Sequence, residues 1–358
     1  MDERLWEGNV RKVVPYTPGE QPKVLDVVKL NTNENPYPPS PLVKKALEEY
    51  DYNRMRLYPD TNSTVLVDAL AEKYGVSTSE IFVGVGSDDV ISMAFLTFFN
   101  SDKPIFFPDV TYSFYDVWAD VYKIPYEKQP LDDNYRIVPE DYKKKNGGII
   151  FPNPNAPTGV LESLETIEDI IKANPDVIVM IDEAYVDFGG ESCIPLTKKY
   201  DNLLVIQTFS KSRSMAGMRI GYAIGNEKLI KYLNDVKFSI NSYTMNPLSQ
   251  ICGAMAVKDD EYFMECNRKI IATREKTMER LEKLGFIFTD SKSNFIFAEH
   301  KTVDADYIFN ELKNRRIFVR HWNAPRISNR LRITVGTDGE MDILITALDE
   351  IIGNYGKE

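Results

Sequence analysis

Cysteine and histidine are scarce in this sequence. The 358 residues include three cysteines, Cys193, Cys252 and Cys266, and two histidines, His300 and His321. Three cysteines without a CxxC pair do not build a disulfide framework, which indicates a reducing compartment. Two histidines are too few for a histidine-rich metal site and argue against a Ser/His/Asp triad. We therefore expect no metal site.

Long apolar runs and an excess of positive charge are also missing. No segment approaches the roughly 18 apolar residues of a membrane span, and the opening MDERLWEGNV lacks the apolar core of a signal peptide. Lys and Arg number 43 against 54 Asp and Glu, a formal charge of −11. Binding to nucleic acid or to an anionic membrane would require a basic face, which this balance does not favour. We expect a cytoplasmic protein with neither kind of partner, in which a local arginine cluster would bind any anionic substrate.

Short apolar strands alternate with helical patterns through the first two thirds of the chain. The predicted strands are 81–85, 104–107, 148–152, 177–182, 203–208 and 220–224, and the helices between them are 88–100, 112–121, 164–173 and 226–236. Two earlier helical patterns follow Ser40 and Ser63, and the second stops at Gly75. Continuous Val/Ile runs separated by helices predict a mostly parallel sheet covered on both faces.

The order of elements changes near residue 260. A long helical pattern over 259–284 is followed by strands in consecutive pairs, which indicates an antiparallel or mixed sheet. The predicted fold class is therefore α/β, with a large mostly parallel-sheet domain and a smaller α+β domain. We place the N-terminal segment that packs with the small domain at 1–30, the large domain at 31–260 and the small domain at 261–358.

The segment TFSKSRSMAGMRIGY (208–222) is the strongest local signal for a reactive site. A predicted strand ends at Thr208, Lys211 stands between two serines, and Arg219 follows eight residues later. A lysine at a strand end is well placed to be desolvated and to act as a Schiff-base nucleophile. Thr208, Ser210 and Arg219 would add donors suited to a phosphate. Taken alone, the segment also fits an ordinary surface loop.

Polar side chains follow two other predicted strands. Asp182 ends the apolar run VIVMID, where a carboxylate is costly unless it has a partner. The carboxyl end of a parallel strand faces a ligand crevice, so Asp182 could hold a protonated ring nitrogen and Tyr185 could reach the same ring. In FPNPNAPTG (151–159), Asn155 could point its amide at a ligand and Pro157 is a candidate for a cis peptide bond. Each residue alone also fits a capped or tight turn.

Two further segments could bind anions. The segment GVGSDDVI (84–91) reads as strand, turn and helix, and its Gly86, Ser87 and Asp88 would place backbone N–H groups at a helix start. It is neither a GxGxxG nor a Walker motif, which argues against dinucleotides and nucleoside triphosphates. Six arginines lie between 315 and 332, and Arg332 alternates with apolar neighbours in LRITVG. That arrangement fits a carboxylate or phosphate clamp, and equally a solvated edge strand.

Taken in order along the chain, these motifs resemble the fold-type I pyridoxal-phosphate aminotransferases over essentially the whole length. The matching segments are LNTNENPYPPSP (30–41), RLYPD (56–60), GVGSDD (84–89), PDVTYSFY (108–115), NPNAPTG (153–159), DEAY (182–185), FSKS with GMRIGY (209–222) and LRITVGT (331–337). Within this family the chain looks most like the enzymes of histidine biosynthesis that act on histidinol phosphate. The resemblance implies pyridoxal 5′-phosphate as cofactor, L-histidinol phosphate and L-glutamate/2-oxoglutarate as substrates, and a homodimer with shared active sites.

The resemblance also implies a role for each matching residue. Lys211 would bind the cofactor as a Schiff base and transfer the proton. Asp182 would pair with the pyridinium nitrogen, and Tyr185 would hydrogen-bond the 3′-oxygen on the ring. The other implied cofactor ligands are Tyr112 on the ring face, Asn155, the phosphate-binding residues Gly86, Ser87, Asp88, Thr208, Ser210 and Arg219, and Tyr58 from the neighbouring subunit. The implied substrate ligands are Tyr16, Asn155, Arg320 and Arg332. Ala156 stands where many relatives have an asparagine, so the match leaves open whether Asn155 reaches the ring.

Other functions share parts of this pattern. An aromatic aminotransferase or a threonine-phosphate decarboxylase would have nearly all the same motifs, because the bond that is broken is not visible in sequence. A catalytically idle protein of this fold would not require Lys211, Asp182 and Arg332 together. A metal- or nucleotide-dependent α/β enzyme is disfavoured by the scarcity of histidine and the absence of a phosphate-loop motif.

Overall fold

The computed structural model describes residues 5–23 and 26–356. Its strands are β1 (Val28–Lys29), β2 (Ile81–Gly84), β3 (Ile105–Pro108), β4 (Tyr126–Gln129), β5 (Ile149–Pro152), β6 (Val179–Asp182), β7 (Leu203–Thr208), β8 (Gly221–Gly225), β9 (Phe286–Phe288), β10 (Phe295–His300), β11 (Ile317–Phe318), β12 (Arg320–His321) and β13 (Leu331–Thr334). Its α-helices are α1 (Pro41–Glu48), α2 (Thr64–Tyr74), α3 (Ser87–Phe98), α4 (Tyr115–Tyr122), α5 (Leu164–Ala173), α6 (Glu227–Ile240), α7 (Pro247–Lys258), α8 (Asp260–Lys283), α9 (Ala305–Asn314) and α10 (Asp338–Asn354). Of the helices in these ranges, none combines the length and apolar character needed to cross a membrane.

Seven strands form the larger sheet, in the order β2-β8-β7-β6-β5-β3-β4. All neighbouring pairs are parallel except those of β8, which runs antiparallel to β2 and β7. The prediction of a mostly parallel α/β sheet is confirmed. The edge strand β4 was not predicted, because its sequence YEKQ has three exposed residues and lacks the apolar run that marked the others.

Helices cover both faces of this sheet. Alternate residues of β5 face two different cores: Ile149 and Phe151 join one cluster, and Ile150 joins the other. Helix α5 shows how the sequence builds such a layer. The Ser163 side chain caps its first turn by accepting a hydrogen bond from the Thr166 N–H, 3.1 Å long, and its isoleucines face the sheet. Burial of the strands on both faces leaves only their ends open to a ligand.

A second, antiparallel sheet follows α8, in the order β12-β13-β10-β9. It packs with α8, α9 and α10 around a separate apolar core that also takes in Leu30 from the N-terminal segment. Strand β1 joins this part of the chain by pairing in parallel with β11. The domain boundaries at residues 30 and 260 stay a prediction. All strands of the seven-stranded sheet precede residue 260 in the sequence, and all strands of the four-stranded sheet follow it.

Candidate active site

The carboxyl ends of β5, β6 and β7 bring the central polar residues together. The parallel register pairs Pro152 with Asp182, and Asp182 with Ile206. Asp182 therefore lies at the same edge of the sheet as Thr208, the last residue of β7. Lys211 follows three residues beyond that edge, so the two strongest sequence motifs meet because their strands are neighbours.

Asp182 is buried and hydrogen-bonded at both carboxylate oxygens. The Tyr115 hydroxyl donates to Oδ2 over 3.0 Å, and the Ala184 backbone N–H donates to Oδ1 over 3.2 Å. Burial raises the pKa of Asp182 to about 6, although both hydrogen bonds lower it. A carboxylate in such a position is stabilised further by a positively charged partner, as a protonated ring nitrogen would be.

The Lys211 amine lies against the segment 30–35. Its Nζ donates to the backbone carbonyl of Thr32 over 3.1 Å and stands 5.9 Å from the centre of the Tyr185 ring. The Asn35 amide donates to the backbone carbonyl of Lys211 over 3.0 Å. The Tyr185 hydroxyl accepts a 2.9 Å hydrogen bond from the Asn33 amide. Lys211 and Tyr185, which come from different loops, are thus held by a third segment.

A cradle for an anion forms where β2, β7 and β8 meet. The register sets Gly221 opposite both Gly84 and Thr208. This brings the start of α3 close to the turn after β7. At Gly221 there is no room for a side chain, because a Cβ atom would overlap the backbone of Gly86 and Ser87. The close approach explains why a glycine stands there.

The lining of this cradle consists of the residues predicted for a phosphate. Gly86, at φ +97°, caps α3, and a Cβ atom on it would overlap the Arg219 guanidinium. Arg219 also pairs with Asp88 at 3.3 Å. The Thr208 hydroxyl donates to the Ser210 hydroxyl over 3.0 Å. Helix-start N–H groups, two hydroxyls and a guanidinium form a donor set that suits a phosphate dianion.

Tyr112 links the anion cradle to Tyr115, the residue that donates to Asp182. Its hydroxyl donates to Asp88 Oδ1 over 2.9 Å, and its ring meets the Tyr115 ring edge-on at 5.7 Å. Burial raises the pKa of Tyr112 well above its ordinary value, and the nearby Asp88 raises it further. Tyr112 is therefore neutral at physiological pH, and its ring lies beside the Asp88 and Tyr115 side chains.

Two arginines flank one tryptophan at the edge of the second sheet. Arg320 and Arg332 are paired directly across β12 and β13, and each guanidinium lies 5.2 Å from the Trp322 ring centre. Arg332 Nη2 donates to the Asn31 carbonyl over 2.9 Å, whereas its buried Nε has no partner within the described chain. Burial lowers the pKa of Arg332. An unpaired buried donor on a cation is costly unless an anion binds.

Tyr16 lies close to this arginine pair. Its ring stacks on Phe114 at 4.2 Å. Burial raises the pKa of Tyr16, while Arg320 and Arg332 act in the opposite direction, so both charges are near enough to affect it. The three predicted substrate residues at positions 16, 320 and 332 therefore gather on one side of the site.

Asn155 and Tyr58 are placed differently from the other predicted residues. The Asn155 amide donates to the Val110 carbonyl and the Thr158 hydroxyl and accepts from the Thr111 hydroxyl, over 2.9, 3.1 and 2.9 Å. Its polar atoms are thus engaged with the protein. Tyr58 is 82% exposed and packs on Tyr243. Within the described chain it has no hydrogen bond or ring contact with another predicted site residue. The predicted cis bond before Pro157 is confirmed, and a second precedes Pro154.

Sequence reasoning missed four contributors to this site: Tyr115, Thr32, Asn33 and Trp322. Tyr115 is the first residue of α4, and Tyr112 lies three residues before it in the segment that leads into this helix. Thr32 acts through its backbone carbonyl, which no side-chain pattern indicates. Asn33 lies inside a matching motif without an assigned role, and Trp322 would have been found only from the pairing of β12 with β13.

Comparison with known proteins defines the class to which this fold and site correspond. A family model described as "Aminotransferase class I and II" matches residues 25–348. The chain belongs to this family.

Its relatives have a more particular name. A protein of Lactococcus lactis subsp. cremoris (strain MG1363), named histidinol-phosphate aminotransferase, is 51% identical over 352 residues, covering 98% of this chain and 99% of the relative. A protein of the same name from Brachyspira hyodysenteriae is 52% identical over 345 residues, covering 96% and 98%. The crystal structure of histidinol-phosphate aminotransferase from Sinorhizobium meliloti in complex with pyridoxal-5′-phosphate has the same fold. Its TM-score is 0.84 at 23% identity, over 92% of this chain and 91% of that one.

Proposed function

We propose that this chain is a histidinol-phosphate aminotransferase. It exchanges an amino group between L-histidinol phosphate and 2-oxoglutarate, giving imidazole acetol phosphate and L-glutamate, a step of histidine biosynthesis. The observation that carries the proposal is the buried and unpaired Nε of Arg332, a residue that stands opposite Arg320. Both substrates are anions that such a pair can bind. The relatives that match nearly the full length of the chain at 51% and 52% identity support the same substrate.

The residues of the site fit pyridoxal 5′-phosphate. Asp182 would hold the ring nitrogen, because its buried carboxylate requires a positive partner. Tyr112 would lie on the ring face, and Lys211 would bind the cofactor covalently. The phosphate would be held by the donors of the cradle, namely Gly86, Ser87, Asp88, Thr208, Ser210 and Arg219. When bound, the cofactor supplies the electron sink that makes amino-group transfer possible.

The side chains of the protein would then divide the work by position. Lys211 moves the proton at the reacting carbon. When the Lys211 amine is free, the Thr32 carbonyl accepts a hydrogen bond from it. Arg332 binds the carboxylate of glutamate as a fork, and Arg320 and Tyr16 join it for the phosphate of histidinol phosphate. The Arg332 Nε is buried, so little water is left around it to screen its charge interactions.

Asn155 would contribute chiefly through the loop that precedes Tyr112. Its amide donates to the carbonyl of Val110 and accepts from the hydroxyl of Thr111, so it holds this loop beside the site. Direct contact of Asn155 with the ring or the substrate stays a prediction.

The surface around Tyr58 supports a homodimer. Its exposed apolar residues are Tyr52, Met55, Leu57, Tyr58, Phe238, Ile240 and Tyr243. Apolar side chains clustered in this way mark interaction surfaces. We propose that a second copy of the chain covers them and that Tyr58 reaches the phosphate cradle of its partner. The three buried free cysteines support work in a reducing compartment, the cytoplasm.

The decisive experiment is a spectroscopic titration of the cofactor-loaded protein. L-Histidinol phosphate, without any keto acid, should convert the absorption of the resting cofactor to that of its aminated form at low concentration, and 2-oxoglutarate should reverse the change. Phenylalanine and phosphothreonine serve as competitors of other chemistry. A stronger response to phenylalanine would assign an aromatic aminotransferase, and carbon dioxide release from phosphothreonine would assign a decarboxylase.

A further inference from the structure

The segment 30–35 runs between the two parts of the fold and contacts both. Leu30 donates its backbone N–H to Phe318 over 2.8 Å, and its carbonyl accepts from Thr334 over 2.9 Å. The Asn33 carbonyl accepts from the Asn294 amide over 2.9 Å. Asn33 itself is 1% exposed, and its φ of +58° is a conformation that asparagine tolerates better than most residues. This residue is thus fixed by its backbone as well as by its side chain.

A chain of hydrogen bonds runs from Thr334 through Asn33 to Tyr185. The Asn33 backbone N–H donates to Thr334 Oγ1 over 3.0 Å, and the Thr334 hydroxyl donates to Asn33 Oδ1 over 3.0 Å. Asn33 Nδ2 then donates to the Tyr185 hydroxyl oxygen over 2.9 Å. All three residues are buried, so no bulk water competes for these groups.

The direction of this chain follows from its first member. A backbone N–H can only donate, so Thr334 Oγ1 accepts there and its own hydrogen goes to an acceptor. That acceptor is Asn33 Oδ1. A reversed Asn33 amide would aim a second N–H at Thr334 Oγ1 and leave the hydroxyl hydrogen without this acceptor. The amide nitrogen therefore faces Tyr185.

Tyr185 consequently has its hydroxyl hydrogen free for the site. Its oxygen receives the Asn33 N–H, and no group that accepts its hydrogen is found in the part of the chain that the structure describes. The charged and titratable side chains that face it from the neighbouring elements are Tyr16, Tyr112, Tyr115, Lys211 and Arg332.

We propose that Asn33 and Thr334 are positioning residues that make Tyr185 a hydrogen-bond donor toward the bound cofactor. The inference rests on the proposed function, because it assigns the ring oxygen of pyridoxal phosphate as the acceptor. A donor at this oxygen stabilises its ionised form, so the bound cofactor loses its proton at a lower pH. Since Thr334 lies two residues beyond Arg332 on β13, the same strand carries the substrate clamp and sets the direction of the Tyr185 hydroxyl.

The test measures the pH midpoint of the cofactor absorption in the resting holoenzyme, without amino donor or keto acid. Asn33→Asp keeps the acceptor for Thr334 and replaces the donor to Tyr185 by a carboxylate oxygen, which takes the hydroxyl hydrogen. The midpoint should rise toward that of Tyr185→Phe, by about one pH unit. Cofactor dissociation constants, measured in parallel, should rise in the same order.

Three further variants separate hydrogen-bond direction from charge and from packing. Thr334→Val removes the hydroxyl that orients the amide and should also raise the midpoint, whereas Thr334→Ser keeps the hydroxyl and should restore it. Asn31→Asp adds the same charge two residues away, where the wild-type amide donates to the backbone carbonyl of Glu20 instead, and should leave the midpoint near the wild-type value. The threonine pair tests the inference even if Asn33→Asp does not fold.

The outcomes distinguish the two levels of the proposal. If Tyr185→Phe moves the midpoint but Asn33→Asp and Thr334→Val do not, the inference is wrong and the proposed function stands. The inference is also wrong, with the proposed function intact, if Tyr185→Phe has no effect on the midpoint. It is wrong as well if Asn31→Asp shifts the midpoint as much as Asn33→Asp does and Thr334→Val leaves the midpoint unchanged. If the wild-type protein neither binds pyridoxal phosphate nor exchanges amino groups, the proposed function itself fails.

Discussion

Tyr115→Phe should destabilise the protein by an amount that depends on pH. The substitution removes the 3.0 Å hydrogen bond to Asp182 and leaves the packing of the ring in place. Asp182 has a pKa of about 6, against an ordinary value of 3.8, because it is buried. An acid whose pKa is raised in the folded state contributes most to stability below pH 3.8, and this contribution is lost as the pH rises through 6.

The size of the effect follows from the charge on Asp182. A hydrogen bond to an ionised group contributes about 1.5–3 kcal/mol, and one between neutral groups contributes about 0.5–1.5 kcal/mol. The variant should therefore lose about 1–2 kcal/mol more at pH 8, where Asp182 is ionised, than at pH 5, where it is mostly protonated. The same difference would raise the pKa of Asp182 by about one unit and extend the window of pH-dependent stability upward.

The assay is urea unfolding of the protein without cofactor at pH 5 and pH 8, at one fixed protein concentration because the proposed dimer would unfold in a concentration-dependent way. Tyr142→Phe is the matched control. Tyr142 is buried in the core on the other face of the same sheet, and its hydroxyl has no hydrogen-bond partner in the described residues. Its loss should cost little and equally at both pH values. Equal losses for Tyr115→Phe at the two pH values would refute the reasoning.

Three other substitutions test the remaining parts of the site. Gly86→Ala should raise the dissociation constant of pyridoxal phosphate about tenfold or more, since the new methyl group would overlap Arg219 at a φ of +97°. If fluorescence titration gives an unchanged constant, Gly86 does not contribute to cofactor binding. Arg332→Lys should raise the KM for glutamate about tenfold with little change in the cofactor spectrum, because the fork is lost while the charge stays; an unaltered KM would contradict the clamp. Lys211→Ala should abolish turnover yet still bind cofactor that dialysis removes, and residual turnover would assign the proton transfer elsewhere.

Local sequence was sufficient for the elements that carry the site. The strand 203–208 and the helix 164–173 were predicted with the bounds that the structure has, because each combines a strong apolar pattern with a clear boundary. The polar strand β4 and the antiparallel direction of β8 were not predictable in this way. Strand direction depends on which neighbour accepts the hydrogen bonds, and the residues of a strand do not record it.

The sequence by itself determined the chemistry available at the site: a lysine and an aspartate at strand ends, a glycine-rich helix start, and arginines in a chain of net negative charge. Only the tertiary structure decided which groups hold these residues. Tyr115 meets Asp182 across 67 positions, and Thr334 meets Asn33 across 301. Such contacts arise where helix and strand ends are packed together, and burial then makes each hydrogen bond matter because no water replaces it.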